Sequence, residues 1–473
     1  MRISNTYVNG EFIDDDITDS NLFPLINPAN EDHYGDLVCS SIETVKNSIN
    51  AAYENIQTMR DLSVDERIVI LQRIYDEVKT NREEFGEKIT LEMGAPKSLS
   101  SGPHINMGLD HIINTINVLK NYSFNQVCDG YEISKIPIGA VGLITPWNWP
   151  LNQLFTKVAS AIAAGCPFVL KPSEYSSLSA KLVCEILHNS GLPKGSFNMV
   201  NGLGNLLGPV MTKSNQLSMI SFTGSTKAGI DIQIKSAETI KRVSLELGGK
   251  SAHVIFDDVN YENAIPNAIN QCFTNSGQSC SSPTRLLVPE KDIDLINDIA
   301  KRYSKTIKCI DPSSSDNGLG PVVNEKQYKN INQYIKEGME SDAVLVSDVI
   351  TKDDENKKGY FIKPTIFTNV CNSSKLAQEE IFGPVLCIIS YKDLDDALMK
   401  VNDSKYGLSS YITCKNIEDG KLFAQKIEAG QTIINKINRG SVPAPFGGFK
   451  MSGNGREHGI HGLEEYLEIK AII

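Results

Sequence analysis

A cysteine in a run of small polar residues is the first candidate for chemistry in this sequence. Cys280 lies in FTNSGQSCSSPTR, after Gly277 and between Ser279 and Ser281. A thiolate is a strong nucleophile, and its reactivity requires access and control of its pKa rather than burial in aliphatic packing. The small neighbours, and a glycine expected to make the chain flexible before it, predict an accessible nucleophile. The other nine of the ten cysteines lie in ordinary apolar or mixed surroundings.

Two further side chains could complete such a site. Glu246 lies in LELGGK, between an apolar run and two glycines that remove bulk around it. A carboxylate in a tight, partly apolar place has a raised pKa and can act as a general base. Asn148 lies in TPWNWP, held between prolines and tryptophans, and an amide fixed in this way can stabilise a developing alkoxide. Taken singly, each has an ordinary alternative: a structural cysteine, a surface glutamate and a turn asparagine.

These residues occur in a chain that alternates strands and helices. From residue 139 an apolar strand, a helix ending at Gly165, a second strand and a second helix follow one another, and another alternating region runs from about 243 to 437. This alternation predicts an α/β fold with parallel strands and helical crossovers. Residues 40–120 have helical periodicity, and residues 122–138 alternate around an Asp-Gly pair, which predicts a β-hairpin.

Composition argues against several classes of protein. The 46 basic and 57 acidic residues give a net charge of −11, which disfavours nucleic acid or an anionic membrane as the main partner. The N-terminus carries no signal-peptide pattern, and the longest apolar run, residues 158–170, is shorter than the roughly 20 residues that span a bilayer. The cysteines are scattered without zinc-ligand spacing, so we expect no metal, free thiols and a cytoplasmic location.

Two glycine-rich turns could approach a phosphate. The first, residues 202–208, is one residue too long for the dinucleotide-binding pattern, so an ordinary turn into a helix is favoured. The second contains Gly224 and follows an apolar strand, and Ser225 or Thr226 could cap the next helix. A helix N-terminus offers unpaired N–H groups and partial positive charge, which suits a pyrophosphate.

Lys171 and Glu174, in the segment LKPSE, stand where the carboxyl end of a strand is predicted. Open α/β sheets bind ligands at this edge. The lysine could donate to ribose hydroxyls, and the carboxylate could accept from a 2′-hydroxyl while repelling a 2′-phosphate. The alternative is a surface ion pair that contributes at most about 1 kcal/mol.

Together these motifs closely resemble the NAD(P)-dependent aldehyde dehydrogenase superfamily. TPWNWP, LKPSE, FTGSTKAG, LELGGKS, NSGQSC, EEIFGPV and PFGGFKMSGNGRE occur in the order and at the spacing of that family, over nearly the whole chain. The resemblance implies a Rossmann-like NAD-binding domain, an α/β catalytic domain and a small β oligomerisation arm. The implied bounds are 1–121 and 139–246 for the NAD-binding domain, 247–446 for the catalytic domain, and 122–138 and 447–473 for the oligomerisation domain.

The resemblance also implies a mechanism. Cys280 would attack the aldehyde to give a thiohemiacetal, held by the Asn148 side chain and the Cys280 N–H. Hydride transfer to the nicotinamide would give a thioester, and Glu246 would activate the water that hydrolyses it. Relatives that transfer the acyl group to coenzyme A tend to lack a base at this position, so Glu246 favours water as the acceptor.

The family's cofactor contacts carry over to several matching positions. The residues matching Lys171 and Glu174 contact the adenosine ribose, and the serine matching Ser225 contacts the pyrophosphate. The residues matching Glu380 and Phe382 hold the nicotinamide ribose and ring. The remaining expected cofactor contacts are Thr145, Trp147 and Gly224. Because a carboxylate at position 174 would repel a 2′-phosphate, NAD is expected as the cofactor and NADP is less favoured.

The expected substrate pocket is polar or wide. A helix after TPWNWP would put three side chains on roughly one face, and an aromatic and a small polar residue are expected near them. The expected pocket residues are Trp149, Gln153, Thr156, Thr274 and Phe446. Thr274 and Gly440 stand where bulkier rings can occur in the family, so a polar or semialdehyde-type aldehyde is expected. Arg439 could anchor a substrate carboxylate, although a solvent-facing loop arginine or a subunit contact is the favoured alternative.

Assembly and two competing functions complete the expectations. The predicted hairpin and the C-terminal strand lie where the family builds its oligomerisation arm, and an unpaired apolar edge would favour aggregation, so a homodimer or homotetramer is expected. A cysteine hydrolase, with Cys280 activated by His253, is one alternative, although a packed structural histidine is favoured there. A non-catalytic relative is the other, and it would be expected to lack Cys280, Glu246 or Asn148.

Overall fold

The structure is a computed structural model, and it describes residues 2–15, 21–347, 358–436 and 443–473. Two parallel-stranded sheets, each flanked by helices, form its framework. The α/β alternation and the helical segment before residue 121 are therefore confirmed. Arg439 and Gly440, two residues of the expected substrate pocket, lie outside the described residues.

The strands have the following bounds: β1 Arg2–Ile3, β2 Tyr7–Val8, β3 Glu11–Phe12, β4 Leu22–Ile26, β5 His33–Val38, β6 Asn125–Cys128, β7 Tyr131–Pro137, β8 Val141–Ile144, β9 Phe168–Lys171, β10 Phe197–Met199, β11 Met219–Thr223, β12 Arg242–Glu246, β13 Ala252–Ile255, β14 Arg285–Pro289, β15 Val344–Leu345, β16 Thr365–Thr368, β17 Val385–Tyr391, β18 Tyr406–Gly407, β19 Ser409–Thr413, β20 Gln431–Ile434, β21 Phe449–Lys450, β22 Gly453–Asn454 and β23 Leu467–Ile472.

The helices have the following bounds: α1 Ile42–Glu54, α2 Ile56–Asp61, α3 Val64–Thr80, α4 Arg82–Met93, α5 Lys97–Ser100, α6 Pro103–Asn121, α7 Pro150–Ala164, α8 Ser177–Asn189, α9 Gly204–Lys213, α10 Thr226–Ser236, α11 Tyr261–Phe273, α12 Ile293–Ser304, α13 Glu325–Met339, α14 Lys375–Gln378, α15 Leu394–Asn402, α16 Ile417–Ala424 and α17 Gly459–Glu464.

The first large sheet has the strand order β22-β12-β11-β8-β9-β10-β2-β3. Its five central strands, β12 to β10, are mutually parallel, and β8, β9, β10 and β11 are buried along their whole length. Ile144 pairs with Lys171, and Thr223 pairs with Glu246, so these strands end at the same edge of the sheet. That edge is where open α/β sheets bind ligands.

The second large sheet has the order β15-β16-β17-β14-β13-β19-β20, and all its neighbours except β15 and β16 are parallel. The last part of the chain contributes to several sheets: β22 pairs with β12 in the first sheet, β21 pairs with β18, and β23 pairs with β7. The partition of the chain into three functional domains stays a prediction.

The predicted hairpin is confirmed. Strands β6 and β7 are antiparallel and turn at Gly130, which has φ +83°, a conformation that glycine adopts without steric cost. Strand β23 adds to β7 over its whole length, which gives a three-stranded sheet with β7 in the centre. Strands β6 and β23 are its two edges.

Helices α6 and α7 pack closely, and this contact holds the start of α7 beneath the first sheet. Gly108 of α6 makes this approach possible, because a β-carbon there would lie 2.9 Å from the Leu151 β-carbon. Helix α7 begins with Pro150 and ends at Gly165, whose φ of +82° closes the helix in the left-handed conformation. In the described ranges no helix is long and apolar enough to cross a membrane, and no three His, Cys, Asp or Glu side chains are grouped to hold a metal ion.

Candidate active site

The segment around Cys280 is tightly packed on one side and partly open on the other. Helix α11 ends in a short 3-10 turn, followed by an irregular stretch; residues 274–281 are called the Cys280 loop below. Asn275, Ser276 and Gly277 all have positive φ, and a β-carbon at Gly277 would collide with the Gly383 carbonyl. Gly277 therefore serves close packing, and the expected flexibility before the cysteine is wrong. Cys280 itself is half-buried.

Asn148 and Trp149 reach the Cys280 loop from the start of α7. Asn148 is 3 % exposed, and its Nδ2 donates to the Gln278 carbonyl at 3.0 Å. The Trp149 indole Nε1 donates to the Ser279 hydroxyl at 2.7 Å. The segment that carries these two residues is short, because it spans only residues 145–149 between the end of β8 and the proline that opens α7. The amide predicted as an oxyanion donor thus bonds the Cys280 loop two residues before the predicted nucleophile.

Glu246 is the last residue of β12 and is 2 % exposed. Neither carboxyl oxygen has a hydrogen-bond partner among the described residues. Burial, and then the nearby Glu457 carboxylate, hold the pKa of Glu246 well above its ordinary value, against the opposing effect of Lys157. The chain just after Glu246 touches the Cys280 loop, since a β-carbon at Gly249 would lie 2.5 Å from the Cys280 carbonyl oxygen.

A buried ion pair beside Glu246 was not foreseen from the sequence. Lys157 of α7 is fully buried, and its Nζ lies 2.5 Å from Glu457 Oε1 and 2.9 Å from the Ser221 hydroxyl. The Glu465 carboxylate also raises the pKa of Glu246, and it accepts a hydrogen bond from the Arg456 backbone N–H at 3.0 Å. The available signal was Lys157 itself, since it is the only charged residue of α7, and a buried lysine must find a partner.

Of the predicted ribose-binding pair, Lys171 is buried and Glu174 is partly exposed. Lys171 is 3 % exposed, and its Nζ lies 3.6 Å from Glu174 Oε2 and 3.1 Å from the Pro172 carbonyl that it donates to. The Thr145 backbone N–H donates to the Lys171 carbonyl at 3.1 Å. The pair therefore lies at the edge of the sheet, and the burial of Lys171 argues against an ordinary solvated surface ion pair.

The second glycine-rich turn has the expected helix cap, and the first is a turn into α9. The Ser225 hydroxyl accepts from the Ala228 N–H at 3.3 Å and begins α10, while the Gly224 N–H donates to the Glu246 carbonyl at 3.0 Å. Helix α9 begins at Gly204, and a β-carbon there or at Gly208 would meet no heavy atom within 4 Å. Open space thus flanks α9.

Glu380 and Phe382 approach from the second sheet. Glu380 Oε1 accepts from the Gly249 N–H at 3.0 Å, and desolvation raises the pKa of Glu380 to about 7. Phe382 has φ +61° and meets Trp147 edge to face, with ring centroids 5.6 Å apart. A bulky residue in the left-handed region is strained, and such strain persists where surrounding contacts over-determine it.

The described residues of the expected substrate pocket differ in their burial. Gln153 and Thr156 are buried on α7, and Phe446 is buried against the His458 ring at 5.4 Å. Thr274 is exposed, and its hydroxyl donates to the Asn270 carbonyl at 2.8 Å. His458, which sequence reasoning missed, also lies 4.4 Å from the ring of His111.

His253, the base of the hydrolase alternative, is engaged inside the second sheet. Its Nε2 lies 2.8 Å from the Thr413 hydroxyl, on the neighbouring strand, and burial lowers the pKa of His253 to about 3. A histidine with so low a pKa is a poor general base at neutral pH. The packed structural role is thus the better account of this residue.

Two other thiols are exposed and must be distinguished from Cys280 in chemical tests. Cys309 and Cys371 are both exposed. The Ser373 hydroxyl, 3.1 Å from the Cys371 sulfur, lowers the pKa of that thiol.

Comparison with known proteins agrees with this arrangement. The model of the aldehyde dehydrogenase family matches residues 16–472. A protein of Staphylococcus haemolyticus, provisionally named an aldehyde dehydrogenase, is 41 % identical over 468 residues, covering 98 % of each chain. A mutant of aldehyde dehydrogenase C from Pseudomonas syringae, solved with NAD+ and octanal, has a TM-score of 0.95 at 38 % identity, covering 99 % of this chain and 96 % of that chain.

Betaine aldehyde dehydrogenase from Staphylococcus aureus, solved with NAD+, has a TM-score of 0.94 at 31 % identity, covering 99 % of this chain and 94 % of that chain. The fold is therefore that of an aldehyde dehydrogenase, with a Rossmann-like and a catalytic α/β unit. Because the family model matches nearly the whole chain and the Staphylococcus haemolyticus relative is 41 % identical over 98 % of it, the chain belongs to the aldehyde dehydrogenase family.

Proposed function

We propose that this protein oxidises an aldehyde to a carboxylic acid, with NAD as hydride acceptor, Cys280 as nucleophile and water as acyl acceptor. The observation that carries the proposal is the meeting of three chain segments at the Cys280 loop. The Asn148 amide donates to Gln278, two residues before the thiol, and Gly249, three residues after Glu246, packs against the Cys280 carbonyl. A nucleophile, an amide donor and a carboxyl base are the groups that aldehyde oxidation through a thioester requires.

The residues at the sheet edge fit NAD. The Lys171–Glu174 pair offers a cation and a carboxylate to ribose hydroxyls, and the Ser225-capped N-terminus of α10 offers N–H groups to a pyrophosphate. Open space beside Gly208 of α9 leaves room for a flat ring system. The edge-to-face pair of Trp147 and Phe382 presents aromatic surface to a nicotinamide. The relatives solved with NAD+ support the same cofactor.

The first chemical step belongs to Cys280 and Asn148. The thiolate adds to the aldehyde carbonyl, and the negative charge moves to the carbonyl oxygen. Asn148 Nδ2 and the Cys280 N–H are the donors for that oxyanion, since Asn148 Nδ2 already points its N–H at the Cys280 loop. Thr145 and Thr223, at the ends of neighbouring strands, hold the surrounding backbone in place.

The second step belongs to Glu246. NAD, when bound, supplies the hydride acceptor that turns the thiohemiacetal on Cys280 into a thioester. Glu246 then takes a proton from water, and the resulting hydroxide adds to the thioester carbonyl. The carbon–sulfur bond breaks, which releases the carboxylic acid product and returns Cys280 as the thiolate. The raised pKa makes Glu246 a stronger base than an ordinary carboxylate. The Lys157–Glu457 ion pair holds one positive and one negative charge in place beside it.

A polar or semialdehyde-type substrate is the preferred class. Gln153, Thr156 and Thr274 supply polar groups where the family's pocket is expected, with Trp149 and Phe446 as the aromatic walls. The test is a panel of aldehydes assayed for NADH formation with NAD and with NADP. Succinic semialdehyde should have a higher kcat/KM than butanal, which is of the same length and uncharged. Equal values, or no loss on Arg439→Ala, would exclude a carboxylate anchor at Arg439.

Replacing Asn148 by alanine should lower kcat by roughly 100-fold, because one oxyanion donor is worth about 2.7–4 kcal/mol. The backbone contact to Asn275 would remain, since it uses the Asn148 carbonyl. Asn148→Asp keeps the shape but presents negative charge to the oxyanion, so it should be at least as slow. The measurement is steady-state kcat at saturating aldehyde and NAD. An alanine variant within threefold of the wild type would contradict this role.

Replacing Glu174 by glutamine should weaken the preference for NAD over NADP by about tenfold or more, because the carboxylate charge repels a 2′-phosphate a few ångströms away. The ratio of kcat/KM for the two cofactors measures the effect. Glu185→Gln is the matched control, since Glu185 is a partly exposed helix residue paired with Lys181 at 4.0 Å. An unchanged ratio in Glu174→Gln would show that another group selects the cofactor.

A homodimer or homotetramer is expected from the edges of the small sheet. Val127 on β6 is 85 % exposed, and Ile469 on β23 is 72 % exposed. Unpaired edge strands that expose apolar side chains invite pairing with another chain. Sedimentation velocity at micromolar protein should give a dimer or larger species, and Ile469→Lys should shift it toward monomer. A monomeric wild type would refute the expectation.

A further inference from the structure

A histidine that no step of the proposed mechanism uses lies directly behind the site. His104 is the second residue of α6 and is fully buried. Its ring stacks on the Trp149 indole, with centroids 4.2 Å apart and planes inclined by 25°. The Nε1 of that indole donates to the hydroxyl of Ser279, the residue before Cys280. The imidazole is therefore joined to the neighbour of the nucleophile through one rigid ring.

The second neighbour of His104 is Asn275 of the Cys280 loop. Burial lowers the pKa of His104 to about 3, although the neighbouring Asn275 side chain opposes that shift. The ring is thus neutral at physiological pH, with one nitrogen as donor and the other as acceptor. Neither ring nitrogen of His104 has a hydrogen-bond partner among the described residues, and the same holds for Asn275 Oδ1. Buried polar groups left unpaired are costly, so the imidazole N–H and Asn275 Oδ1 are each other's natural partners.

This pairing decides which way the Asn275 amide points. Asn275 Nδ2 donates to the Asn148 carbonyl at 2.8 Å and approaches the Gln278 carbonyl at 3.4 Å. Exchanging the two ends of the amide would set Oδ1 against two carbonyl oxygens and Nδ2 against His104. A donor at position 104 therefore favours the orientation in which Asn275 ties the Asn148 backbone to the Cys280 loop.

The same orientation supports a strained backbone. Asn275 and Ser276 have φ of 56° and 55°, in the left-handed region that most residues avoid. Short polar side chains with local hydrogen bonds reduce this cost, which is why asparagine is among the residues that tolerate it. A hydrogen bond from His104 to Asn275 Oδ1 would help to hold Asn275 in this conformation, and a substitution that removes the donor would forfeit it.

We propose that His104 is a positioning residue that orients the Asn275 amide and braces Trp149, and so keeps Asn148 and Cys280 in the relative placement that aldehyde oxidation needs. The inference rests on the proposed roles of Asn148 and Cys280. A purely apolar side chain would fill the same space without the cost of burying two ring nitrogens, so simple packing does not account for histidine at this place.

The test compares variants that keep different parts of the imidazole. His104→Phe keeps a ring against Trp149 and removes the donor, whereas His104→Asn and His104→Gln keep a donor and remove the ring. We expect kcat to fall by about 10- to 100-fold in His104→Phe, because small displacements of reacting groups cost factors of this size, while the KM for NAD stays within twofold. At least one amide variant should recover fivefold or more relative to His104→Phe. A His104→Phe variant within twofold of the wild-type kcat would overturn the inference.

A double-mutant cycle separates positioning from general loss of stability. Asn275→Gly removes the amide and still permits the positive φ. If His104 acts through Asn275, the double variant should lose no more kcat than Asn275→Gly alone, within about twofold. Multiplying losses would overturn the inference. Should His104→Phe fail to fold, the cycle is run with His104→Leu. Because leucine also removes the ring that braces Trp149, the criterion is then that the two losses in kcat combine to less than their product.

Two controls separate this inference from the proposed function. His188→Phe changes an exposed histidine that bonds the Tyr7 hydroxyl at 2.9 Å, and it should leave kcat unchanged. If Cys280→Ser keeps wild-type turnover, the proposed nucleophile is wrong and the inference falls with it. If Cys280→Ser is inactive and His104→Phe is fully active, the inference about His104 alone is wrong.

Discussion

Cys280→Ser should lower aldehyde oxidation by at least about 1,000-fold, since removal of a nucleophile costs most of the catalytic power that it supplies. The serine hydroxyl has nearly the shape of the thiol but ionises far less readily, so it cannot form the thiohemiacetal at a useful rate. The change is small and half-exposed, so the fold should be unaffected. The measurement is NADH formation at saturating aldehyde.

Cofactor binding should survive this substitution, and the protein carries its own reporter of it. The chain has two tryptophans, Trp147 and Trp149, and both lie beside the proposed cleft. Binding of NAD next to the Trp147–Phe382 pair should change tryptophan fluorescence in the wild type and in Cys280→Ser with the same Kd. A variant that has lost this signal would have been damaged at the cofactor site instead.

Cys371→Ser is the matched control for the thiol. Cys371 is exposed, and a neighbouring serine lowers its pKa, so it should react with iodoacetamide as a free surface thiol does. Alkylation should inactivate the wild type and Cys371→Ser equally, and mapping of the modified peptides assigns the inactivating event to Cys280. Substantial turnover in Cys280→Ser, or inactivation that follows Cys371, would contradict a nucleophilic Cys280.

The sequence predicted the elements of the site well because its signals are local. Apolar runs bounded by turn residues predicted β8, β9 and β11, and parallel strands necessarily end at one edge of the sheet. This placed Lys171, Glu174, Gly224 and Glu246 at the same edge before any contact was known. The family motifs added Glu380, which lies in the connection before β17 of the other large sheet and accepts a hydrogen bond from the Gly249 N–H.

The environment of these residues could not be predicted, because it depends on contacts between distant parts of the chain. Lys157 and Glu457 are separated by 300 residues, and the sequence gives no measure of their distance. Gly277 illustrates the same limit. A glycine among polar residues indicated flexibility, whereas a carbonyl from Gly383, more than a hundred positions away, requires it for close packing. His104 carries no motif at all and acquires meaning only from Trp149 and Asn275.

Glu246→Gln should separate the two halves of the reaction. The substitution leaves Cys280 and Asn148 in place, so the first turnover should proceed and release about one NADH per site as a rapid burst. The steady-state rate should then fall by roughly 100-fold or more, because general bases contribute factors of this size to the step they assist. Stopped-flow absorbance resolves the burst from the slow phase. An undiminished steady-state rate would contradict the role of Glu246 as base.

The pH dependence gives an independent readout of the same residue. Because the pKa of Glu246 is raised, the wild-type steady-state rate should be lost as pH falls through that raised value, where the base becomes protonated. The residual rate of Glu246→Gln should lack this limb. A second carboxyl serves as control: desolvation raises the pKa of Glu92 to about 7, yet Glu92→Gln should keep the wild-type limb.

Stability should distinguish loss of the base from damage to the fold. Folding raises the pKa of Glu246, so the folded protein binds more protons than the unfolded chain, and this carboxyl opposes folding increasingly as pH rises through its folded pKa. Neither of its oxygens has a hydrogen-bond partner among the described residues, so Glu246→Gln should match or exceed the wild-type Tm at pH 8. Glu92 accepts hydrogen bonds from Ser179 and Leu178, so Glu92→Gln should lower Tm. A destabilised Glu246→Gln would mean that its carboxylate holds the fold together, and its slow turnover could no longer be assigned to the lost base.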